Sequence, residues 1–253
     1  MLRSRITPCL LVHKKGLVKT VEFGNPKYVG DPINAVKIFN EKEVDELCLL
    51  DIGATTEGRS PAYNEINEIV SEAFMPIGYG GGIHTMDQVE RLFKIGVEKV
   101  IMNTAAFENE ELIKEASSVF GNQSIVVSID IKKDFWGEYK VYTRSGKSKQ
   151  KIDLLTAVKK MQDLGAGEII LNNIDRDGTM MGYDLEPINR ISKATEVPLV
   201  ALGGAATIDD FVAAIQHGAA AVSAGSMFVY QGVHKAVLIS YITSDTLENK
   251  LNN

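Results

Sequence analysis

The sequence predicts an α/β fold, a closed (β/α)8 TIM barrel assembled from two (βα)4 halves. Three observations carry that prediction. Eight short apolar runs alternate with amphipathic stretches along the 253 residues. Eight such units suit one barrel, a fold of roughly 250 residues. A gapless internal match of 76–105 on 198–227 marks the chain as a repeat.

The apolar runs are 6–11, 47–51, 77–79, 100–103, 124–130, 168–172, 199–202 and 221–224. Each is short and β-branched enough to read as a strand buried on both faces. Helical periodicity occupies 32–41, 63–73, 86–94, 110–120, 152–164, 187–194 and 208–217. Strands that alternate with helices indicate a parallel sheet. An open doubly wound sheet is the competing architecture, but no G-x-G-x-x-G turn follows the first strand. The repeat pairs Gly81 with Gly203, Gly82 with Gly204, Thr85 with Thr207 and Gly96 with Gly218. A second match pairs Asp51 with Asp175 and Gly58 with Gly182. The expected organisation is one domain over 1–253, with halves of about 1–120 and 121–241 and a polar tail over 242–253.

Composition narrows the function. Hydrophobic residues make up 45% and the formal net charge is −6. That balance argues against a nucleic-acid or anionic-membrane partner. No apolar run approaches the roughly 20 residues of a membrane span, and the start carries no signal-peptide core. Cys9 and Cys48 sit inside apolar runs and read as buried thiols without metal spacing. The expected setting is a reducing cytoplasm, and no metal or cofactor is expected.

In a barrel of this kind chemistry gathers at the C-terminal ends of the strands. Gly81 and Gly82 follow the third strand, and Gly203 and Gly204 follow the seventh. Bare backbone there lets N–H groups approach an anion. Asn103 with Thr104, and Gly225 with Ser226, supply the neighbouring walls. Two phosphate sites on opposite sides of one mouth imply a long substrate with a phosphate at each end. Asp130 closes the apolar run of the fifth strand and reads as a general acid/base. The matching position in the first strand is Leu11, an aliphatic side chain. Asp51 and Asp175 end strands and face the substrate, and Asp177, Gly178 and Thr179 of the second polar loop are expected to join the phosphate-binding set. Lys19 follows the first strand, within reach of a phosphate or of the first loop. His13, His84 and His234 lack paired partners and read as structural.

The opposite rim carries a charged set. Arg5, Glu46, Lys99 and Glu168 immediately precede the first, second, fourth and sixth strands. Two cations and two anions there can close into a ring. Its bland reading is ordinary rim charge; its functional reading is a gate over a central passage.

These residues resemble the cyclase subunit of imidazole glycerol phosphate synthase over essentially the whole chain. The segments that carry the resemblance are 5–10 (RITPCL), 30–32 (GDP), 45–47 (DEL), 50–52 (LDI), 80–83 (GGGI), 129–130 (ID), 175–179 (DRDGT) and 203–204 (GG). The resemblance implies a glutaminase partner at the N-terminal rim, with ammonia passing up the barrel. It implies that Arg5, Glu46, Lys99 and Glu168 are the gate. It also implies a bisphosphorylated ribotide substrate, imidazole glycerol phosphate and an aminoimidazole carboxamide ribotide as products, and acid/base work shared by two aspartates.

The sequence departs from that pattern at one of the two aspartates. Asp130 matches the second, but Leu11 holds the place of the first. Losing one acid/base partner costs about 10²–10⁴-fold. The chain otherwise resembles a second-copy paralogue of the cyclase, through Leu11 and the segments 23–30, 135–137 and 234–241. Such paralogues imply a role in surface-polysaccharide clusters. There, ammonia would serve amidation of an acetamido sugar by an ATP-using sugar amidotransferase. Two other readings stand beside this one: a working histidine-pathway cyclase, and a non-catalytic scaffold that activates a glutaminase.

Overall fold

The computed structural model describes residues 4–252. The predicted domain bounds at 1 and 253 lie outside the described residues. Eight strands form the barrel: β1 (Arg5–His13), β2 (Leu47–Asp51), β3 (Ile77–Gly80), β4 (Lys99–Met102), β5 (Ile125–Lys133), β6 (Glu168–Asn173), β7 (Leu199–Leu202) and β8 (Ala221–Ala224). All neighbouring barrel strands pair in parallel. The sheet closes because β5 pairs with both β4 and β6, and β1 with both β8 and β2.

The main helices, one following each strand, are α1 (Pro32–Glu41), α2 (Tyr63–Ser71), α3 (Met86–Lys94), α4 (Glu110–Phe120), α5 (Leu154–Asp163), α6 (Leu185–Ser192), α7 (Ile208–Gln216) and α8 (Ser244–Leu251), with short helical turns at Thr104–Glu108 and Ser226–Val229 besides. Local sequence sets where they start. Asp31 caps α1 by accepting from the Asn34 N–H, with Pro32 at the first helical position. Thr85 and Gln88 form a capping box on α3, and Thr207 and Asp210 form one on α7.

The strand pleat splits the core in two. Ile6, Leu10, Leu47, Val127 and Ile169 face outward and pack under the helices. Cys9, Cys48, Ile101, Val126, Ile170 and Val200 face inward and fill the bore. Alternation along each strand therefore decides which side chains can meet a ligand or a passenger.

Three features differ from the expected pattern. β1 does not run directly to a helix; it turns into an antiparallel hairpin, Gly16–Val21 and Gly24–Gly30. β5 likewise runs into an antiparallel strand, Tyr139–Thr143. The expected polar tail contains the eighth helix, α8. Leu247 is fully buried, and Lys250 pairs with Asp209 of α7 at 2.7 Å. The sequence there is polar because only a narrow stripe of α8 touches the barrel.

Candidate active site

The C-terminal mouth of the barrel holds a cavity of about 440 Å³. That volume lies in the range of small-molecule sites, roughly 300–1,000 Å³. Leu11, Lys19, Asp51 and Asp130 line it, together with the glycine loops after β3 and β7.

Asp130 is buried at the floor of this cavity. Its Oδ1 accepts from Ser128 Oγ at 3.1 Å, and Asn172 also hydrogen-bonds its carboxyl. Burial raises its pKa to about 7; the Asp177 charge adds to that, while the two neutral donors oppose it. Asp130 therefore exchanges a proton near neutral pH. Leu11 lines the same cavity from β1, four strands away around the barrel in either direction. No second carboxylate faces Asp130 from that position.

Lys19 sits on the β1 hairpin with its ammonium turned inward. Nζ donates to the Cys9 carbonyl oxygen at 2.8 Å, and the residue is only 5% exposed. Burial lowers its pKa, and the nearby Asp177 charge offsets this in part. Asp177 is pushed up by burial, with hydrogen bonds from Thr20 and Phe23 opposing. Desolvation outweighs the mutual attraction of this acid and this base.

The polar loop after β6 behaves differently from the expectation. Asp177 Oδ2 accepts from Thr20 Oγ1 at 2.7 Å and from the Phe23 N–H at 3.3 Å. A Cβ at Gly178 would stand 2.0 Å from the Thr20 carbonyl oxygen. These two residues line the cavity, but their contacts clamp the β1 hairpin. A carboxylate is also no ligand for an anion. Thr179 is outside the lining; its Oγ1 turns back to donate to the Arg176 carbonyl at 2.9 Å. Asp175 is outside it too, because its Oδ2 accepts the Lys133 N–H at 2.8 Å and fixes the end of β5. Asp51 faces the cavity but is held by Arg59, at 3.1 Å, and by the Gly53 and Ala54 N–H groups.

The glycine loops line the mouth as expected. Gly81, Gly82, Gly203 and Gly204 all have positive φ. A Cβ at Gly81 would lie 2.4 Å from the Asp51 carbonyl oxygen, and one at Gly203 would lie 2.6 Å from that of Asn173. The packing of neighbouring loops thus already demands glycine there. What makes them a candidate anion site is their shared lining of one cavity with Asn103, Thr104, Gly225 and Ser226. Asn103 Nδ2 is engaged with the Ser128 carbonyl at 3.0 Å, and Thr104 Oγ1 accepts the Arg144 N–H at 3.0 Å. Side chains there brace the wall and leave anion contact to the backbone.

At the other end of the bore, the four rim charges close into a ring. Arg5 bonds Glu46 at 2.6 Å and also Glu168. Lys99 bonds Glu46 at 2.8 Å and Glu168 at 3.3 Å. Glu46 and Glu168 are buried, each compensated by both cations. The Arg5 guanidinium is held above its ordinary range: burial opposes its charge, but Glu168 and Glu46 together outweigh that. Cys9 and Cys48 meet inside the bore with Sγ atoms 3.9 Å apart. His13 lines the mouth, whereas His84 and His234 lie outside the lining.

Asn172 was not singled out by sequence reasoning. It lines the cavity floor and is paired in register with Asp130. A signal was available: Glu168, Ile170 and Asn172 share one parity on β6, and Glu168 already read as part of a gate over the central passage. Among the described residues no cluster suits a metal ion, and no helix is long and apolar enough to cross a membrane.

Fold and site together define a (β/α)8 barrel with a catalytic-type carboxylate and glycine loops at one mouth and a charged ring at the other. Comparison with known sequences gives the family. The model of the histidine biosynthesis protein family matches residues 5–235, and the chain belongs to that family as a HisF-like cyclase subunit of imidazole glycerol phosphate synthase. A provisionally named imidazole glycerol phosphate synthase subunit, hisF3, of Vibrio vulnificus (strain YJ016) is 52% identical, covering 95% of this chain and 94% of its own. The similarly named hisF2 of Pseudomonas aeruginosa is 50% identical, covering 95% and 96%. Imidazole glycerol phosphate synthase subunit HisF of Sulfolobus acidocaldarius is 43% identical, covering 89% and 90%.

Proposed function

We propose that this chain is the ammonia-receiving barrel of a glutamine-dependent complex, and that its own cyclase chemistry is disabled. A glutaminase docks at the rim that carries Arg5, Glu46, Lys99 and Glu168, and the ring gates ammonia into the bore. The ammonia serves amidation of an acetamido sugar in surface-polysaccharide (O-antigen) biosynthesis, carried out by an ATP-using sugar amidotransferase. The observation that carries this reading is Leu11 in the cavity wall opposite Asp130. Ring closure needs protons both taken and given, and one carboxyl at the floor serves one of those acts at a time.

The residues divide the work accordingly. Apolar side chains of Cys9, Cys48, Ile101, Val126, Ile170 and Val200 line the bore and favour a neutral passenger over a charged one. Lys19 orders the first loop through the Cys9 carbonyl. Asp130 exchanges a proton at the exit. The glycine loops hold a phosphorylated small molecule through Gly81, Gly82, Asn103 and Thr104 on one side and Gly203, Gly204, Gly225 and Ser226 on the other.

The second reading is a histidine-pathway cyclase, favoured by Asp130 and Lys19 in the shared cavity. One experiment separates the two. Purified chain and glutaminase are given glutamine with either the ribotide or an acetamido sugar, ATP and the amidotransferase. The proposal expects nitrogen in the sugar and almost no imidazole glycerol phosphate. Cyclase turnover at a rate typical of the family overturns it.

A further inference from the structure

The floor of the mouth contains a buried acceptor with nothing to accept. Asn172 is 7% exposed, and its Oδ1 has no hydrogen-bond partner among the described residues. An unpaired buried polar atom is costly, because it has given up its hydrogen bonds to water. The amide end of Asn172 is engaged with Asp130, its register neighbour on β5. The oxygen instead lies toward Gly203, where a Cβ would stand 3.2 Å from it. Gly203 has no Cβ, and both residues line the cavity.

Charge around that oxygen is unbalanced. Asp130 is buried at this level and Asp177 is half-buried, and Lys19 is the buried cation among the described residues. The Lys19 ammonium is already bound to the Cys9 carbonyl. Ser128 supplies a neutral hydroxyl, and Leu11 and Leu50 supply apolar wall. His13 and Lys147 also line the cavity. A ligand placed here needs N–H or O–H donors and gains from positive charge.

We propose that the Asp130 carboxylate and Asn172 Oδ1 form a subsite for ammonium, placed where the bore opens into the mouth. This deepens the ammonia-receiving reading and rests on it for its purpose. Ammonium offers four N–H donors, enough for Asp130, Asn172 and Ser128 Oγ together. A bare metal cation is a poor match, since hard cations take about six or more oxygen ligands. The exchange balances without another reactant. Ammonia's lone pair takes the Asp130 carboxyl proton, so an O–H bond breaks and an N–H bond forms. The reverse step releases neutral ammonia to an acceptor and returns the proton to Asp130. The Asp130 pKa of about 7 leaves the group protonated part of the time at neutral pH, as this exchange requires.

The test uses the isolated chain and ammonium chloride, with potassium chloride at equal ionic strength as the comparison. Carbon-detected NMR of labelled aspartate carboxyls follows the Asp130 titration. Ammonium should lower the Asp130 midpoint and bind saturably; potassium should not. Asn172→Leu, which keeps the shape, should weaken ammonium at least about tenfold. Where that variant does not fold, Asn172→Ser, with its oxygen withdrawn, carries the same expectation. An unmoved midpoint, an equal response to potassium or undiminished binding in the folded Asn172 variants overturns the subsite. No glutaminase or sugar enters this experiment, so its failure is distinct from failure of the sugar-amidation reading.

Discussion

A Cβ added at Gly225 would stand 2.5 Å from Nζ of Lys19 and 3.1 Å from the Cys9 carbonyl oxygen that Nζ binds. Gly225 has φ −110° and ψ −69°, a conformation open to any residue. Its need for glycine is therefore steric and comes from Lys19. Gly225→Ala should displace the ammonium and cost about 1–3 kcal/mol, the scale of a hydrogen bond to a charged donor. In a Lys19→Met background the same change should cost clearly less, because the tip of methionine can move aside without losing a hydrogen bond. Urea denaturation of the four proteins closes the cycle. Equal costs in both backgrounds would remove Lys19 as the reason for the glycine.

Leu11 and Asp130 stand on strands four apart around the closed sheet and line one cavity. If Leu11 is what silences cyclisation, Leu11→Asp should restore part of it. Formation of imidazole glycerol phosphate from ammonia and the ribotide should rise by at least about tenfold, toward the 10²–10⁴ span of a missing acid/base partner. The new carboxylate enters a half-buried position beside apolar wall, so a loss of stability should accompany the gain. A folded variant without gain would show that the site has diverged beyond Leu11.

The barrel was legible because its strands are apolar runs and its helices keep a 3.6-residue period, signals that need no partner to be read. Rim charges were legible for the same reason: each stands at the N-terminal edge of an apolar run. The hairpin after β1 was not, because its stability comes from Asp177 and Gly178, more than 150 positions away in sequence. Glycine loops were read as anion sites, whereas Gly81 and Gly203 first satisfy carbonyl contacts with Asp51 and Asn173. Position in sequence shows which residue is small and leaves open what crowds it. Asn172 was missed although strand parity pointed inward, since an Asn-Asn pair at a strand end reads as the start of a turn.

Lys99 contacts both buried glutamates of the ring. Lys99→Ala leaves Glu46 and Glu168 to share Arg5 alone and opens a hole at the base of the bore. Breaking a fully buried pair costs about 3–5 kcal/mol. The Lys99 side chain is 18% exposed, so water moderates the loss to about 1–3 kcal/mol. With the glutaminase bound, the ratio of glutamine hydrolysed to ammonia used should rise. An unchanged ratio would return the ring to a purely structural role.

Asp130 gives the stability curve a definite sign. Its carboxyl titrates near 7 in the folded chain and near its ordinary value, about 3.9, when unfolded. Between those values the folded state binds the extra proton, so stability falls as pH rises from about 4 to about 7 and then levels off. The loss is a few kcal/mol, at about 1.4 kcal/mol per pKa unit. Asp177 contributes in the same direction. Comparing the chain with Asp130→Asn isolates the Asp130 part. The variant should gain stability relative to the parent between pH 4 and pH 8 in parallel chemical denaturations. A difference independent of pH would place the Asp130 titration outside this window.

The last helix tests whether a polar tail belongs to the barrel. Leu247 is fully buried on α8, and Ser244 Oγ hydrogen-bonds Asp45, which also accepts from Ile6 N–H at 3.2 Å and from Tyr241 Oη at 3.3 Å. Those contacts join the last helix to the approach to β2 and to the start of β1, beside the charged ring. Leu247→Ala should cost about 2–5 kcal/mol, the range for a buried leucine truncated in place. Asp45→Asn should cost less, because its amide retains one acceptor oxygen. If α8 merely decorated the surface, Leu247→Ala would stay within about 0.5 kcal/mol of the parent. A loss in the larger range, measured by urea denaturation, makes α8 the eighth helix of the barrel in energy as well as in sequence.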